Sequence, residues 1–402
     1  MQRLTAALVL ACSLLLCTAA LASSWPTFHG PNQNRISPET GINTNWAENP
    51  PEQLWQTAMS DNGYAGHSVA EGKVFIIDQD GDQNVVRAIN LETGENVWTF
   101  SYPDSGRANY GFARSTPVVE DGKVYTISRL GLVHRLNAED GSKDWVVDMR
   151  EEFGGRLPRW QYSMSPLIDG DHVILVPGGP NAGVAAINKE TGETVWRGGG
   201  GDVPGYTEPV VATIDGVKQY VVFTARNLIG VRAEDGELLW RHPWRTPNDV
   251  NAATPIVRGN EIFITTGYNR GCALVRVTNN QVETVWENKA IHSHFNTGLY
   301  YDGHIYSSSD RGRLVCVEWD TGETRWEQRG SVGKGGIVGV DGHLIGLQER
   351  RGTVFLVELT PERYNEVGQF DGLGDQSWTA PIVAEGRLII RNRSTLACYK
   401  LK

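Results

Sequence analysis

Cysteine is scarce in this 402-residue chain, which carries only five. Cys12 and Cys17 fall within the first twenty residues, while Cys272, Cys316 and Cys398 stand far apart, each in an apolar strand-like run (CALVRV, LVCVEW, LACYKL). Three thiols cannot all pair and no metal-binding spacing occurs, so neither a disulfide framework nor a thiolate metal centre is expected; buried free thiols behave as small hydrophobes. A surplus of positive charge is missing too. Against 37 Lys and Arg stand 47 Asp and Glu, a formal net charge of −10, and the charges are dispersed. That balance argues against nucleic acid and against an anionic membrane surface as partners. Beyond the first residues no apolar run approaches the length of a membrane helix, so no membrane span is expected. G-x-S-x-G, H-E-x-x-H and the P-loop pattern are absent, which leaves triad hydrolysis, zincin chemistry and nucleotide binding without a motif.

What is present starts with Arg3, an apolar run from Ala6 to Leu16, and small residues ending in Ala20-Leu21-Ala22. That pattern predicts a secretory signal over residues 1–22, cleaved near Ala22, and hence a periplasmic or secreted protein. Leu16 stands before Cys17 where lipid-modifying processing needs a small residue, so lipidation of Cys17 is not expected. Residues 23–51 form a lead segment, and residues 52–402 carry a repeat.

Tryptophan sets the repeat. Trp55, Trp98, Trp145, Trp196, Trp240, Trp286 and Trp326 follow one another at 43, 47, 51, 44, 46 and 40 residues, a period of propeller blades or helical arrays. The text before each indole reads strand, tight turn, strand, as in AINLETGENVW (88–98) and AAINKETGETVW (185–196). A second hairpin precedes it, as in TPVVEDGKVYTIS (116–128) and APIVAEGRLIIRN (380–392). Four short strands per unit make a blade. The predicted fold is therefore all-β: an eight-bladed propeller with four antiparallel strands per blade. Phe370 takes the tryptophan slot of the seventh blade, and the orphan strand EQLWQT around Trp55 completes the eighth against residues 395–401, closing the ring. The seven tryptophans and Phe370 are expected to dock each blade on its neighbour, since a large flat ring covers a turn well.

The consensus A-x-N/D-x-x-T-G-x-x-x-W resembles the repeat of pyrroloquinoline quinone (PQQ) propellers, over roughly residues 52–401. That superfamily includes quinoprotein alcohol dehydrogenases and the propeller lipoprotein of the outer-membrane β-barrel assembly machinery, and the opening WPTFHGPNQNRISPETG (25–41) resembles the lead of exported PQQ-like repeat proteins without known activity. The enzymes of the superfamily carry adjacent cysteines over the cofactor, which this sequence lacks, and a carboxylate and an amide that hold Ca²⁺. Glu208 and Asn251, just before strands of consecutive blades, are the nearest such pair here, and no Asp stands beside them as a base. No cofactor is expected; PQQ with calcium is the alternative.

In a propeller the innermost strand of every blade starts at one mouth of the central channel. The segments 64–68, 111–116, 159–165, 205–208, 250–254, 293–297, 333–336 and 375–380 converge there, and their distinctive side chains, Arg114, Tyr162, Tyr206, Glu208, Asn251, His294, Asn296, Lys334 and Trp378, predict a mixed-charge, aromatic-lined cup. His292 and His294 sit at i and i+2 without a third ligand, so no metal is expected. Residues 103–112, 149–162 and 198–206 break the repeat as loops near that mouth, the last flexible by its glycine content. The reading is a monomeric exported binding or scaffold protein, not an enzyme, that takes a protein partner or a small ligand at the loop-bearing mouth. The alternatives are a PQQ-dependent dehydrogenase and an outer-membrane β-barrel assembly factor.

Overall fold

Local turn chemistry writes the blades. The computed structural model describes residues 24–402 except residues 61, 107, 109 and 112; the expected export segment, with Cys12 and Cys17, lies outside the described residues. In the first hairpin of six of the eight blades an acidic residue and a glycine both take positive φ, as at Asp121 (50°) and Gly122 (70°), the pairing that a two-residue turn between twisted strands requires. In the second hairpin the side chain of Asn90 accepts from the backbone N–H of Glu92 at 2.8 Å and of Thr93 at 3.0 Å. Asn188 repeats this with Glu190 and Thr191, which is why the consensus keeps Asn and Thr before its glycine.

Eight antiparallel blades of four strands each result, seven of them in simple sequence order, and they form a propeller ring. Blade 1 spans 67–103, blade 2 118–148, blade 3 167–198, blade 4 210–243, blade 5 256–288, blade 6 299–329 and blade 7 337–371. Blade 8 takes three strands from 382–400 and its outer strand from Gln53–Ala58, with Trp55 opposite Cys398 and Ala58 opposite Thr395. The ring closes as the sequence predicts. Cys272, Cys316 and Cys398 are buried and unbridged. A helical turn, Met149–Phe153, capped by Asp148, opens the loop before blade 3. The glycine run after Trp196 is packed rather than loose: a Cβ on Gly198 would stand 1.9 Å from the Gly236 carbonyl oxygen, and Gly199 N–H donates to that carbonyl at 2.8 Å. Composition predicts flexibility there; close backbone approach is the reason glycine is needed.

The indoles dock in one rotational sense. Trp55 Nε1 donates to Leu91 O (2.8 Å), Trp98 to Ala138 O (3.1 Å), Trp145 to Lys189 O (3.1 Å), Trp196 to Ala233 O (3.2 Å), Trp286 to Trp319 O (2.8 Å) and Trp326 to Thr360 O (2.9 Å). Each acceptor lies in the next blade. Under five of these rings, all but that of Trp326, lies the turn glycine of that blade. Trp240 departs from the pattern because the next hairpin carries Asn279-Asn280 in place of Thr-Gly, and its Nε1 turns to Gln219 Oε1 of its own blade at 2.5 Å. Phe370 is a correction. The other docking tryptophans sit immediately after the bulge of the outer strand, and in blade 7 that position is Gly368, opposite Leu356. Trp46 from the lead segment lies on Gly368, where a Cβ would be 2.5 Å from Trp46 Cβ. Phe370 packs two residues on, edge to face with Trp46 at 5.4 Å and tilted on Tyr399 at 5.0 Å. It still serves the joint between blades 7 and 8, from outside the slot. Replacing Gly141 with alanine places a Cβ 2.6 Å from the Trp98 ring at a φ of +74°. The expected cost is about 2–4 kcal/mol, from overpacking and left-handed strain together, visible as a fall in the urea midpoint at unchanged m-value.

The lead segment fills the channel, a feature the repeat does not announce. Trp25, fully buried, bridges the inner strand of blade 1 through Val69, and Pro26 O accepts from Val119 N–H of blade 2 at 2.9 Å. His29 then reaches Glu208 at the mouth of blade 4. Arg35 returns toward blades 7 and 8, donating to Phe28 O (2.7 Å), Ile337 O (2.9 Å) and Pro381 O (3.3 Å). Ile36–Ser37 add a short parallel strand to blade 7. The Arg35 guanidinium lies 5.7 Å from the Trp25 ring centre and 5.2 Å from that of Phe28, so aromatic rings and carbonyls together hold a buried cation.

Candidate functional site

Above this plug the inner-strand starts enclose a cavity of about 320 Å³, near the lower end of ligand-sized pockets. Seven of the nine mouth residues read from the sequence line it: Arg114, Tyr206, Glu208, His294, Asn296, Lys334 and Trp378. The other two turn away. Tyr162 is buried with its hydroxyl donating to Pro177 O at 2.8 Å. Asn251 is fully buried, its amide nitrogen donating to Thr224 O (2.9 Å), Ala225 O (3.2 Å) and Trp244 O (3.2 Å), while its oxygen accepts from the Thr246 hydroxyl at 2.6 Å. Both residues sit in mouth segments, but buried backbone carbonyls claim their donors.

Aromatic rings make the wall. Trp378 stacks on Tyr64 at 4.6 Å, and its Nε1 donates to Glu349 Oε1 at 3.0 Å, which fixes the ring. Phe295 stands 5.5 Å from Trp378, Trp160 6.2 Å from Tyr206, and Tyr268 4.7 Å from His294. The exposed ring of Tyr110 stands over the rim, 6.1 Å from Trp378. Lys334 Nζ rides 4.9 Å above Trp378 and 5.8 Å above Phe295, with no carboxylate in ion-pair reach among the described residues. Burial lowers the Arg114 guanidinium to about 10 and His294 to about 4, with Lys334 adding repulsion to the latter. His292 lines a different cleft, with Arg311 and Arg313, so the two histidines do not share a site. Among the described residues no three His, Cys, Asp or Glu side chains converge as metal ligands.

Small polar groups and the plug make the floor. Thr116, Ser165, Glu208, Thr254 and Asn296 line the cavity beside Phe28. Sequence reasoning missed Phe28, because its segment precedes the repeat; the signal available was a run with Trp25, Phe28 and His29 too aromatic for an open tail. Glu208 is the unusual group. Its Oε2 lies 3.5 Å from His29 Nε2. Burial pushes its carboxyl up to about 7, opposed by the Ser165 hydroxyl and the charge of Arg35. Burial and Arg35 together drive His29 down to about 3. The two groups pull stability in opposite directions. The native state holds the Glu208 proton between pH 4.5 and 7 where the unfolded chain has lost it, so stability falls as pH rises through that window. His29 instead costs stability below pH 6.5, where only the unfolded chain takes up the proton. Glu208→Gln should therefore remove up to about 3 kcal/mol of stability loss between pH 5 and pH 8, read as a melting temperature that falls less with rising pH than in the parent.

The calcium pair considered above is not assembled. Glu208 faces His29, with Arg35 behind it, and every polar atom of Asn251 is spent on the scaffold. These residues do not fit a carboxylate-and-amide cradle for a quinone-bound cation.

Comparison with known proteins adds four findings. A family model described as outer membrane protein assembly factor BamB matches residues 47–151 and 81–328. The outer membrane protein assembly factor BamB of Yersinia pestis is 26% identical over 330 residues, covering 76% of this chain and 76% of that protein. Among solved structures, BamB from Moraxella catarrhalis superposes with a TM-score of 0.64 at 16% identity, covering 88% of this chain and 98% of that one. Quinohemoprotein alcohol dehydrogenase from Comamonas testosteroni superposes at 0.67 with 13% identity, covering 94% and 80%. At these identities the structural likenesses speak for the fold alone.

Proposed function

We propose, from the premise that this chain belongs to the family of outer membrane protein assembly factor BamB, that it is an exported, protein-binding propeller that serves the assembly of outer membrane proteins. The observation that carries this reading is the extent of the family match, which runs over residues 47–328 and so across the blades themselves. The dehydrogenase reading rests on a shared fold and a calcium pair that the side chains do not form. A scaffold without enzymatic activity, the leading expectation from sequence, is thereby narrowed to one of its alternatives.

The geometry supports docking on a rigid platform. Buried blades hold the mouth loops in place, and loops on a rigid scaffold are where partners bind. Tyr110 and Tyr268 stand exposed on that rim, residue types that anchor interfaces. Export through the segment 1–22 places the mature chain in the periplasm, beginning at Ser23.

A photo-crosslinking residue at Tyr268, in cells of the source organism, should capture a β-barrel outer membrane protein or its insertion machinery. The same probe at Glu190, on an outer turn, is the control. Equal capture at both positions, or recovery of soluble proteins alone, would overturn the reading. Intact mass of the recovered chain reports cleavage after Ala22.

A further inference from the structure

We infer that the cup binds an acidic sugar: a pyranose ring bearing a carboxylate, the free end or a side residue of an anionic glycan. This goes beyond the docking reading and stands apart from it, since it concerns the inside of the cup and not its rim.

Three observations on the cup select the ligand class. The first is the wall: Trp378, Phe295, Trp160 and Tyr206 present ring faces and edges within one cavity, and Trp378 is held in place by its bond to Glu349. Flat apolar faces suit the C–H face of a sugar or the face of an aromatic ring, and size admits about one such unit. The second is the floor. Thr116, Ser165, Thr254 and Glu208 offer hydroxyl and carboxyl groups together, the Asn296 amide nitrogen being held by Lys334 O at 2.8 Å, and Glu208 Oε1 is buried with no hydrogen-bond partner in the structure. An aromatic acid would strip water from these groups and return nothing, at about 1–3 kcal/mol for each one left unpaired. A ring carrying several hydroxyls satisfies them. The third is charge. Arg114 and Lys334 both line the cavity, and Lys334 Nζ lies over two aromatic rings with no ion pair among the described residues. A neutral sugar leaves that ammonium unused, whereas a carboxylate on the ring meets it in a charge-assisted bond.

The geometry gives each group a task. The ring lies against the aromatic wall, its hydroxyls point to the floor, and its carboxylate turns toward Lys334 and Arg114. The plug closes the far side, so only an end or a branch of a longer glycan enters.

Titration calorimetry of the mature chain with glucuronate, glucose and benzoate tests this. Glucuronate is expected to bind saturably, at least about tenfold tighter than either of the others, and to quench intrinsic tryptophan fluorescence. Lys334→Met should weaken glucuronate by about tenfold and leave any residual glucose binding unchanged. Trp378→Ala should weaken both sugars. Lys334 is partly exposed, so its variant tests the site even if the tryptophan variant unfolds. No saturable glucuronate heat, equal binding of glucose, tighter binding of benzoate, or full glucuronate affinity in folded Lys334→Met would each overturn the proposal.

Discussion

A chain lacking Gln53–Ala58 should lose the single cooperative melt of the intact ring. The deletion removes the Trp55 indole, whose loss alone is worth about 3–5 kcal/mol for a buried tryptophan, and the whole ladder from Gln53–Tyr399 to Ala58–Thr395. It also bares the strand Thr395–Lys400 as an open edge. Domains are stable by only about 5–15 kcal/mol, so these losses together consume most of that margin. Circular dichroism melts and size-exclusion chromatography should show a broadened, early transition and concentration-dependent association. A synthetic peptide spanning residues 51–60 should restore the sharp transition by strand addition. If the deleted chain melts as the parent does, closure contributes little and the ring is held by its other joints.

Arg35→Ala should open the channel from within. Three backbone carbonyls, from Phe28, Ile337 and Pro381, lose their donor together, and the rings of Trp25 and Phe28 lose the cation between them. Each buried acceptor left unpaired costs about 1–3 kcal/mol, so a fall of about 3–5 kcal/mol is expected, as for other broken buried charge networks. The loss should concentrate in the lead segment. Limited proteolysis ought to cut between Trp25 and Gly41 in the variant before any blade is touched, and hydrogen exchange at Val69 and Val119, which bond the plug, should speed up. Uniform destabilisation of all blades, with the lead still protected, would show that Arg35 does not anchor the plug.

Period and turn chemistry made the blades legible. Seven tryptophans at near-constant spacing and the Asn-x-x-Thr-Gly turn each reflect a local rule that repeats, so strand number, order and the closing role of Trp55 could be read before any coordinates. Topology alone then brought seven of nine mouth residues to one cavity. The misses share one physical cause: side chains answer to whatever lies beside them, and that neighbour is often distant in sequence. Asn251 is called away by carbonyls of residues 224, 225 and 244. Phe370 was placed by spacing alone, but the bulge between Leu356 and Val357 fixes the register and gives the slot to Gly368, with an indole arriving from residue 46. The plug was invisible for the same reason, since its partners lie in five different blades and no period marks it.

Closure also sets a schedule. Residue 55 leaves the ribosome early and must wait for residue 398, its partner across the ladder. Until that last strand is made, no circle can latch, and pairing over so great a sequence separation is intrinsically slow. On the proposed export route this delay has a use: a polypeptide that cannot latch until its tail arrives stays threadable, and takes its final shape only once both ends have been delivered to the same compartment.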